Sequence, residues 1–456
     1  MPLRARVGRH ANTGVNCQNW EDDQQTVIAL LNLISTAQGG AQASITGRVV
    51  RGIASDALYK AILRFQKQYF PGQQTGFVDP GGALLAKMET LAMGPTAAPT
   101  PAAPAGQWGE FKSGSVPKAL RVALADSHFL NQVKVAEILR SVLGNGTVSN
   151  SELTDLQTIA DKSRSIMQRS KDMLELFVKR AKAEIENRGP YRLVPSTRIY
   201  ATNLVCDFLR RSGHGQWPHL DRDEVGIGML MRIAYPSSVD QNQTNLCGPA
   251  AALFNVLLDR PGAYAQFAID MYEKGGAKLV NIWIKPQGNL LGYALPPGRI
   301  DPVDWVTLAS IRNSNDWFIH YDSADNTFSG ATTPMELAYW FTRAGYSDVK
   351  EDANLVERQR FTMNMDEASR LFSAGYRVCL LIDDQMVHYG TQSESGSKIL
   401  LDRHWIVLRS TIDRSGGNVK MTIFTWGDKQ YQVPQTGVLT LDDFLMNYYG
   451  YVAGKP

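Results

Sequence analysis

Gln241-Asn242-Gln243-Thr244-Asn245-Leu246-Cys247-Gly248-Pro249-Ala250-Ala251 is the stretch that decides how the larger half of this 456-residue chain reads. Polar and turn-forming residues give way at Cys247 to an apolar run over residues 250–258, which predicts a helix. Pro249 suits a first helical turn, where its missing N–H is no loss, and three alanines at 250–252 keep the helix slim where it crosses a core. Cys247 therefore stands at a helix N-terminus, where unpaired N–H groups and the helix dipole favour a thiolate and lower its pKa. Far downstream, Asp402-Arg403-His404-Trp405 leads into a strand-like run over residues 405–408. A histidine brought beside a cysteine can take the thiol proton and return it to a leaving group. The simplest chemistry for this pair is acyl transfer by a Cys-His hydrolase, with no cofactor and no metal.

Composition permits that chemistry and excludes other classes. The 456 residues suffice for two or three domains, and 44% apolar residues fit a folded chain. Forty-seven basic residues against 44 acidic ones leave a net charge of only +3, with no dense Lys/Arg stripe, so nucleic acid is not an expected partner. A mildly basic surface suits an anionic polymer. The four cysteines, Cys17, Cys206, Cys247 and Cys379, form no CxxC pair, which argues against a zinc knuckle or a dense disulfide framework. His388, His320, His214 and His219 lie in loop-like surroundings without a Cys/Asp/Glu cluster at metal-ligand spacing. Neither a signal-peptide core nor an 18-residue apolar run occurs, so no membrane span is expected, and export would need another route.

The tract Gly94-Pro-Thr-Ala-Ala-Pro-Thr-Pro-Ala-Ala-Pro104 is too rich in proline for a helix or central strand and predicts a linker over residues 93–108. Before it, residues 1–92 carry two apolar stripes of helical period, Val27, Leu30, Leu31, Ile34 and Leu58, Ile62, Phe65, Tyr69. Ser55 is placed to cap the second helix, and Gly76-Phe77-Val78-Asp79-Pro80-Gly81-Gly82 turns into a third. Val27-Ile28-Ala29-Leu30-Leu31-Asn32, Ala61-Ile62-Leu63-Arg64-Phe65-Gln66 and Thr75-Gly76-Phe77-Val78-Asp79 make this region similar to the small three-helix peptidoglycan-binding domain of wall hydrolases. The long insert between Ser35 and Ser55 departs from the shortest form of that family. The resemblance implies peptidoglycan as a partner.

Residues 109–194 read as a helical spacer or partner surface, with one helical region over 117–143 and a long helix over 151–185 capped by Ser151. Residues 195–456 place helices first and strands later, over 377–382, 399–401, 405–408 and 419–424, which predicts an α+β domain with its site between a helical part and an antiparallel sheet. Trp305, Trp317, Trp340 and Phe341 are expected in the core or cleft walls.

Cys247-Gly248-Pro249-Ala250-Ala251 and His404-Trp405-Ile406-Val407-Leu408 together resemble papain-like cysteine peptidases. The resemblance implies Cys247 as nucleophile, His404 as its acid and base, and Gln241, six positions upstream of Cys247, as an oxyanion donor, with Gln243 its rival. It also implies an Asn or Asp that orients the imidazole, in the family just before a Trp-Gly pair. Phe424 and Thr425 occupy those positions before Trp426-Gly427, so Asp428, just beyond, is the expected third member. A dyad, or orientation by Thr425 or a backbone carbonyl, is the alternative.

A wall-binding domain joined to a cysteine hydrolase implies cleavage of a peptidoglycan amide, stem-peptide or sugar-to-peptide, since tethering raises the local substrate concentration. In organisation the chain is similar to antibacterial effectors injected by a contractile (type VI-like) secretion apparatus, or to phage-like lysins. That similarity implies action in a target cell's periplasm or wall, with an immunity protein and a component of the secretion apparatus as partners. Two alternatives stand beside it: a toxin acting on proteins as peptidase, deamidase or transglutaminase, and a binding protein with an inactive hydrolase fold.

Overall fold

The computed structural model describes residues 3, 5–41, 45, 49–93, 110–124, 130–162, 166–188, 191–192, 195–211, 215–242, 244–314, 323, 332–387, 403–427 and 431–456. They divide into two compact units, Met1–Ser212 with Arg260–Ala265, and Gly213–Asp259 with Gln266–Pro456. Helices and an antiparallel sheet together make the architecture α+β. The expected linker and the expected strand at 399–401 lie outside the described residues.

In the first unit, β1 (Val7–Gly8), α1 (Glu21–Leu33), α2 (Asp56–Tyr69), β2 (Phe77–Val78) and α3 (Ala83–Met93) follow the order that the apolar stripes predict. Val27, Leu30, Leu31, Leu58, Ile62 and Phe65 are fully buried in one core, and the Ser55 hydroxyl accepts the Leu58 N–H to cap α2. Gln66 ties the two sequence signatures together. Its amide donates to the Thr75 hydroxyl and the Phe77 carbonyl, and its carbonyl accepts the Gly76 N–H. The turn at Gly76, φ 81°, that leads into β2 is thereby fastened to α2.

The same unit continues through α4 (Ser115–Ala123), α5 (Gln132–Leu143), β3 (Thr147–Val148), α6 (Asn150–Lys162), α7 (Gln168–Arg188), β4 (Tyr191–Arg192) and α8 (Pro195–Leu209). Two expectations are corrected here. The long helix is two helices, because the chain breaks where Ile166 bridges Leu130 and the Met167 N–H donates to the Leu130 carbonyl. The cap is Ser149 rather than Ser151: its hydroxyl accepts the Glu152 N–H while the Glu152 carboxylate accepts the Ser149 N–H, a reciprocal capping box.

The second unit opens with α9 (Arg222–Ala234), α10 (Cys247–Asp259) and α11 (Pro261–Lys274, whose first residues count with the first unit). A hairpin of β5 (Ala277–Leu279) and β6 (Ile282–Ile284) precedes α12 (Pro302–Asp304), a π-helical turn Trp305–Ala309 and α13 (Ser310–Ser314). Then come α14 (Pro334–Arg343), β7 (Ser347–Ala353), α15 (Thr362–Ser373), β8 (Arg377–Asp383), β9 (Arg403–Leu408), β10 (Met421–Phe424), β11 (Tyr431–Val433), α16 (Leu441–Met446) and β12 (Tyr448–Lys455). The six strands from β7 onward form one antiparallel sheet in the order β11-β10-β9-β8-β12-β7.

Strand alternation gives the sheet two faces. Val378, Leu380, Ile382, Ile406 and Leu408 pack with Met365, Ala368 and Leu371 of α15. Across the sheet, α10 lies against Cys379 and Phe424: the Asn255 amide donates to the Cys379 sulfur at 3.5 Å, and Phe254 stacks on Phe424 at 3.9 Å. A helix that meets protein on all sides needs an apolar circumference, and α10 is buried over nearly its whole length. Its far end is fixed by Asp259, which accepts two bonds from Arg377, at 2.6 and 2.9 Å, and one from the Tyr346 hydroxyl. Trp305, Trp340 and Phe341 are buried, while Trp317 is not among the described residues.

Candidate active site

Cys247 is the first residue of α10, and the first helical hydrogen bond runs from Ala250 N–H to the Leu246 carbonyl. The N–H groups of Cys247 and Gly248 thus have no helical acceptor and face the sulfur, joined by the Trp405 N–H from β9. The helix start is tight. A Cβ on Gly248 would come within 2.2 Å of the Thr332 hydroxyl, so only glycine fits beside the cysteine. Thr332 in turn accepts the Trp405 indole N–H on its carbonyl at 2.8 Å, and its buried hydroxyl has no partner among the described residues. The next residue, Thr333, caps α14 in a box with Glu336, and Glu336 pairs with the buried Arg312 at 3.5 Å.

Burial pushes the Cys247 thiol above the ordinary cysteine value, and this outweighs the N–H groups of Trp405, Gly248 and Cys247 and the positive charge of Arg312, all of which pull it down. The thiolate expected from a helix N-terminus is therefore corrected. The N–H groups at the helix start act in the expected direction, but desolvation is the larger effect and favours the neutral thiol.

His404 lies on β9 opposite Ile382 of β8, one residue before the Trp405 N–H that faces the cysteine sulfur. Its Nε2 is 2.6 Å from the Thr425 hydroxyl, and its ring stacks on Trp426 at 4.7 Å with an interplanar angle of 22°. Thr425 is buried, so this contact is shielded from water. Trp426 and Gly427 both have left-handed backbones, φ 43° and 71°, which turn the chain so that the indole covers the imidazole. A tryptophan in that region costs energy and marks a conformation that its surroundings enforce. Asp428, Gln243 and His388 lie outside the described residues.

Gln241 is buried, six positions before Cys247, on a turn closed by two bonds to its own carbonyl, from the Thr244 N–H and the Thr244 hydroxyl. Its side-chain Oε1 is buried without a hydrogen-bond partner among the described residues. Such a group is costly unless something completes it. Asp240, just before it, packs against Gly427, where a Cβ would come within 2.9 Å of the Asp240 Cβ. The Gln241 turn and the Trp426-Gly427 turn are thus in contact.

Thr332, Arg312, Asp240 and Asp304 escape a reading of the sequence, because each is placed by contacts between distant segments. Thr425 is legible only through its position before Trp-Gly. Among the described residues there is no group of three or more His, Cys, Asp or Glu able to hold a metal ion, and no helix long and apolar enough to cross a membrane. All four cysteines are free thiols. No protein-family model matches the chain, and neither a curated protein nor a solved structure does.

Proposed function

We propose that the second unit is a papain-like cysteine hydrolase that cleaves amide bonds of peptidoglycan by acyl transfer. The observation that carries this reading is the convergence of β9 on the start of α10: the Trp405 N–H faces the Cys247 sulfur, and the adjacent His404 is held by Thr425 under Trp426. With Nε2 of His404 engaged by the Thr425 hydroxyl, Nδ1 is the nitrogen that exchanges a proton with Cys247. Cys247 Sγ gives its proton to His404 and attacks the amide carbonyl. The oxyanion collects the Cys247 N–H and the Gln241 amide. His404 then protonates the leaving amine, and water, deprotonated by His404, releases the acyl group from the thioester. Thr425 substitutes for the family's Asn or Asp in holding the ring, so the site works as a dyad with a hydroxyl anchor.

The wall as substrate is supported by the first unit. An open cavity of about 330 Å³ is lined there by Arg6, His10, Asn16, Cys17 and Gln18. Phe77 stands beside it, with the Arg6 guanidinium 4.6 Å above its ring and His10 edge-on at 4.7 Å. Cation, amide and aromatic groups around one concavity suit a peptide or sugar chain that bears carboxylates and amides.

Purified sacculi and casein are the two substrates to compare. Wild-type protein is expected to release new amino groups from sacculi and not from casein, with a loss of about 10²–10⁴-fold for His404→Ala and complete loss for Cys247→Ala. Release from casein alone would move the substrate to proteins, and wild-type turnover by folded Cys247→Ala would remove the mechanism.

A further inference from the structure

A buried ion pair lies behind the Gln241 turn and reaches it through one backbone bond. Asp304, fully buried, ends α12, and Arg232, 5% exposed, lies on α9. Arg232 Nη2 donates to Asp304 Oδ2 at 2.6 Å and Nε to Oδ1 at 3.2 Å, a two-point grip. Its remaining Nη1 reaches Asp301 at 3.3 Å. Asp304 Oδ2 also accepts the N–H of Asp240 at 3.0 Å. A buried pair of this kind is a weak source of stability, because desolvation cancels much of the attraction. Its third bond is what distinguishes it, since that bond leaves the pair and fixes the residue before Gln241.

The turn is held from the other side as well. Asp240 Oδ1 accepts the Asn242 N–H at 2.7 Å, and the Asn242 side chain donates to the Gly298 carbonyl at 3.1 Å. Asn242 has φ 51°, a left-handed backbone that these bonds enforce. The Gln241 carbonyl is taken by Thr244, and Asp240 abuts Gly427 in the turn that covers His404. The backbone of Gln241 is fixed on both sides while its side-chain Oε1 is buried and unpartnered among the described residues. Oε1 is an acceptor and takes a donor, so the group of this side chain that can donate to an oxyanion is its Nε2 amide, carried on a backbone that is fixed from both sides.

We infer that Arg232 and Asp304 are positioning residues, a buried pair that sets the Gln241 amide for the oxyanion by gripping the N–H of Asp240. This rests on the reading of Cys247 as an acyl-transfer nucleophile. The pair touches neither substrate nor sulfur, so its removal should impair only the step that builds negative charge on a carbonyl oxygen.

Two reagents separate that step from the reactivity of the thiol. p-Nitrophenyl acetate is attacked by Cys247 Sγ at its carbonyl; an oxyanion forms, p-nitrophenolate leaves and the acetyl group stays on sulfur until water removes it. Iodoacetamide is displaced at its CH2 carbon, iodide leaves, and no oxyanion arises. In the full chain, Asp304→Asn is expected to slow Cys247 acetylation on the order of 10²-fold, the scale of losing one oxyanion donor, and to leave alkylation unchanged. Gln241→Ala should do the same, and the double variant should be no slower than Gln241→Ala alone, because both changes remove one function. Arg232→Lys, which keeps the charge and loses the two-point grip, repeats the comparison if Asp304→Asn does not fold.

Wild-type acetylation in Asp304→Asn or Arg232→Lys would overturn the inference. So would an equal fall in acetylation and alkylation, which would put the effect on the thiol or the fold, or losses that multiply in the double variant. Absence of Cys247-dependent acetylation in the wild type would instead defeat the acyl-transfer reading, and the inference with it.

Discussion

At the scale of single residues, two opposing influences meet on Cys247. Three backbone N–H groups and a buried guanidinium favour the thiolate, and burial disfavours it more strongly. A thiol held above its ordinary 9.0 ionises late, so the thiolate fraction, and with it the alkylation rate, should still be climbing as pH rises past that value. Rates of iodoacetamide labelling between neutral and strongly alkaline pH measure this directly, and a plateau reached near neutrality would show a stabilised thiolate instead. His404 depends on a smaller group. Thr425→Val keeps the shape and removes the hydroxyl, so turnover should fall about 10–100-fold, the range for losing a hydrogen bond to a group that becomes charged, while Thr425→Ser should retain most of it. Steady-state rates of the two variants on one substrate decide the point. The sequence made Cys247, His404 and Gln241 legible, because each stands next to a change of local pattern: turn to helix, polar to strand, and a polar run before a cysteine. It could offer Thr425 only as an alternative beside Asp428, since the contact of its hydroxyl with His404 depends on the pairing of β9 with β10, while Asp428 lies outside the described residues.

Among the elements, α10 is the one whose placement governs the site. Its apolar circumference was plain in the sequence, and so were β8 and β9, which carry continuous runs of Val, Ile, Leu and Trp. β12 was not legible. Tyr448-Tyr-Gly-Tyr-Val-Ala-Gly-Lys455 has two glycines and no clean alternation, yet it pairs with both β8 and β7 in the middle of the sheet. Tertiary pairing overrides a poor local propensity there. Its Gly450 has φ 115° beside a register shift, a position that asks for glycine. The break between α6 and α7 was hidden for the opposite reason: both helices bury apolar faces, and the sequence contains neither glycine nor proline between them. At the N-terminus of α10 the steric demand is measurable. Gly248→Ala should destabilise the fold by about 1–3 kcal/mol, the usual cost of forcing a methyl into a packed core, because the new Cβ meets the Thr332 side chain. Adding Thr332→Ala should recover part of that loss in a urea titration, and independent, additive effects would show that the clash is not the cause.

At the scale of the whole molecule, the chain joins two compact units with separate cores. The first offers a polar concavity with an aromatic neighbour, and in the second a helix start and the interior strand β9 bring the Trp405 N–H to the Cys247 sulfur, with His404 the preceding residue of that strand. A wall-directed function needs both. With Cys247→Ala as the background, so that no wall is digested, the full chain should co-sediment with purified sacculi, and Arg6→Ala with His10→Ala should release it into the supernatant. Unchanged sedimentation would move the wall contact away from that cavity. The most direct measurement on the central claim is the intact mass of the protein after brief exposure to p-nitrophenyl acetate, with peptide mapping of the site. The account predicts a single acetyl group on Cys247, formed in a burst of one equivalent, slow to appear in His404→Ala and absent in Cys247→Ala. An unmodified Cys247 in the folded wild-type protein, or an acetyl group that appears at the same rate without His404, would contradict it.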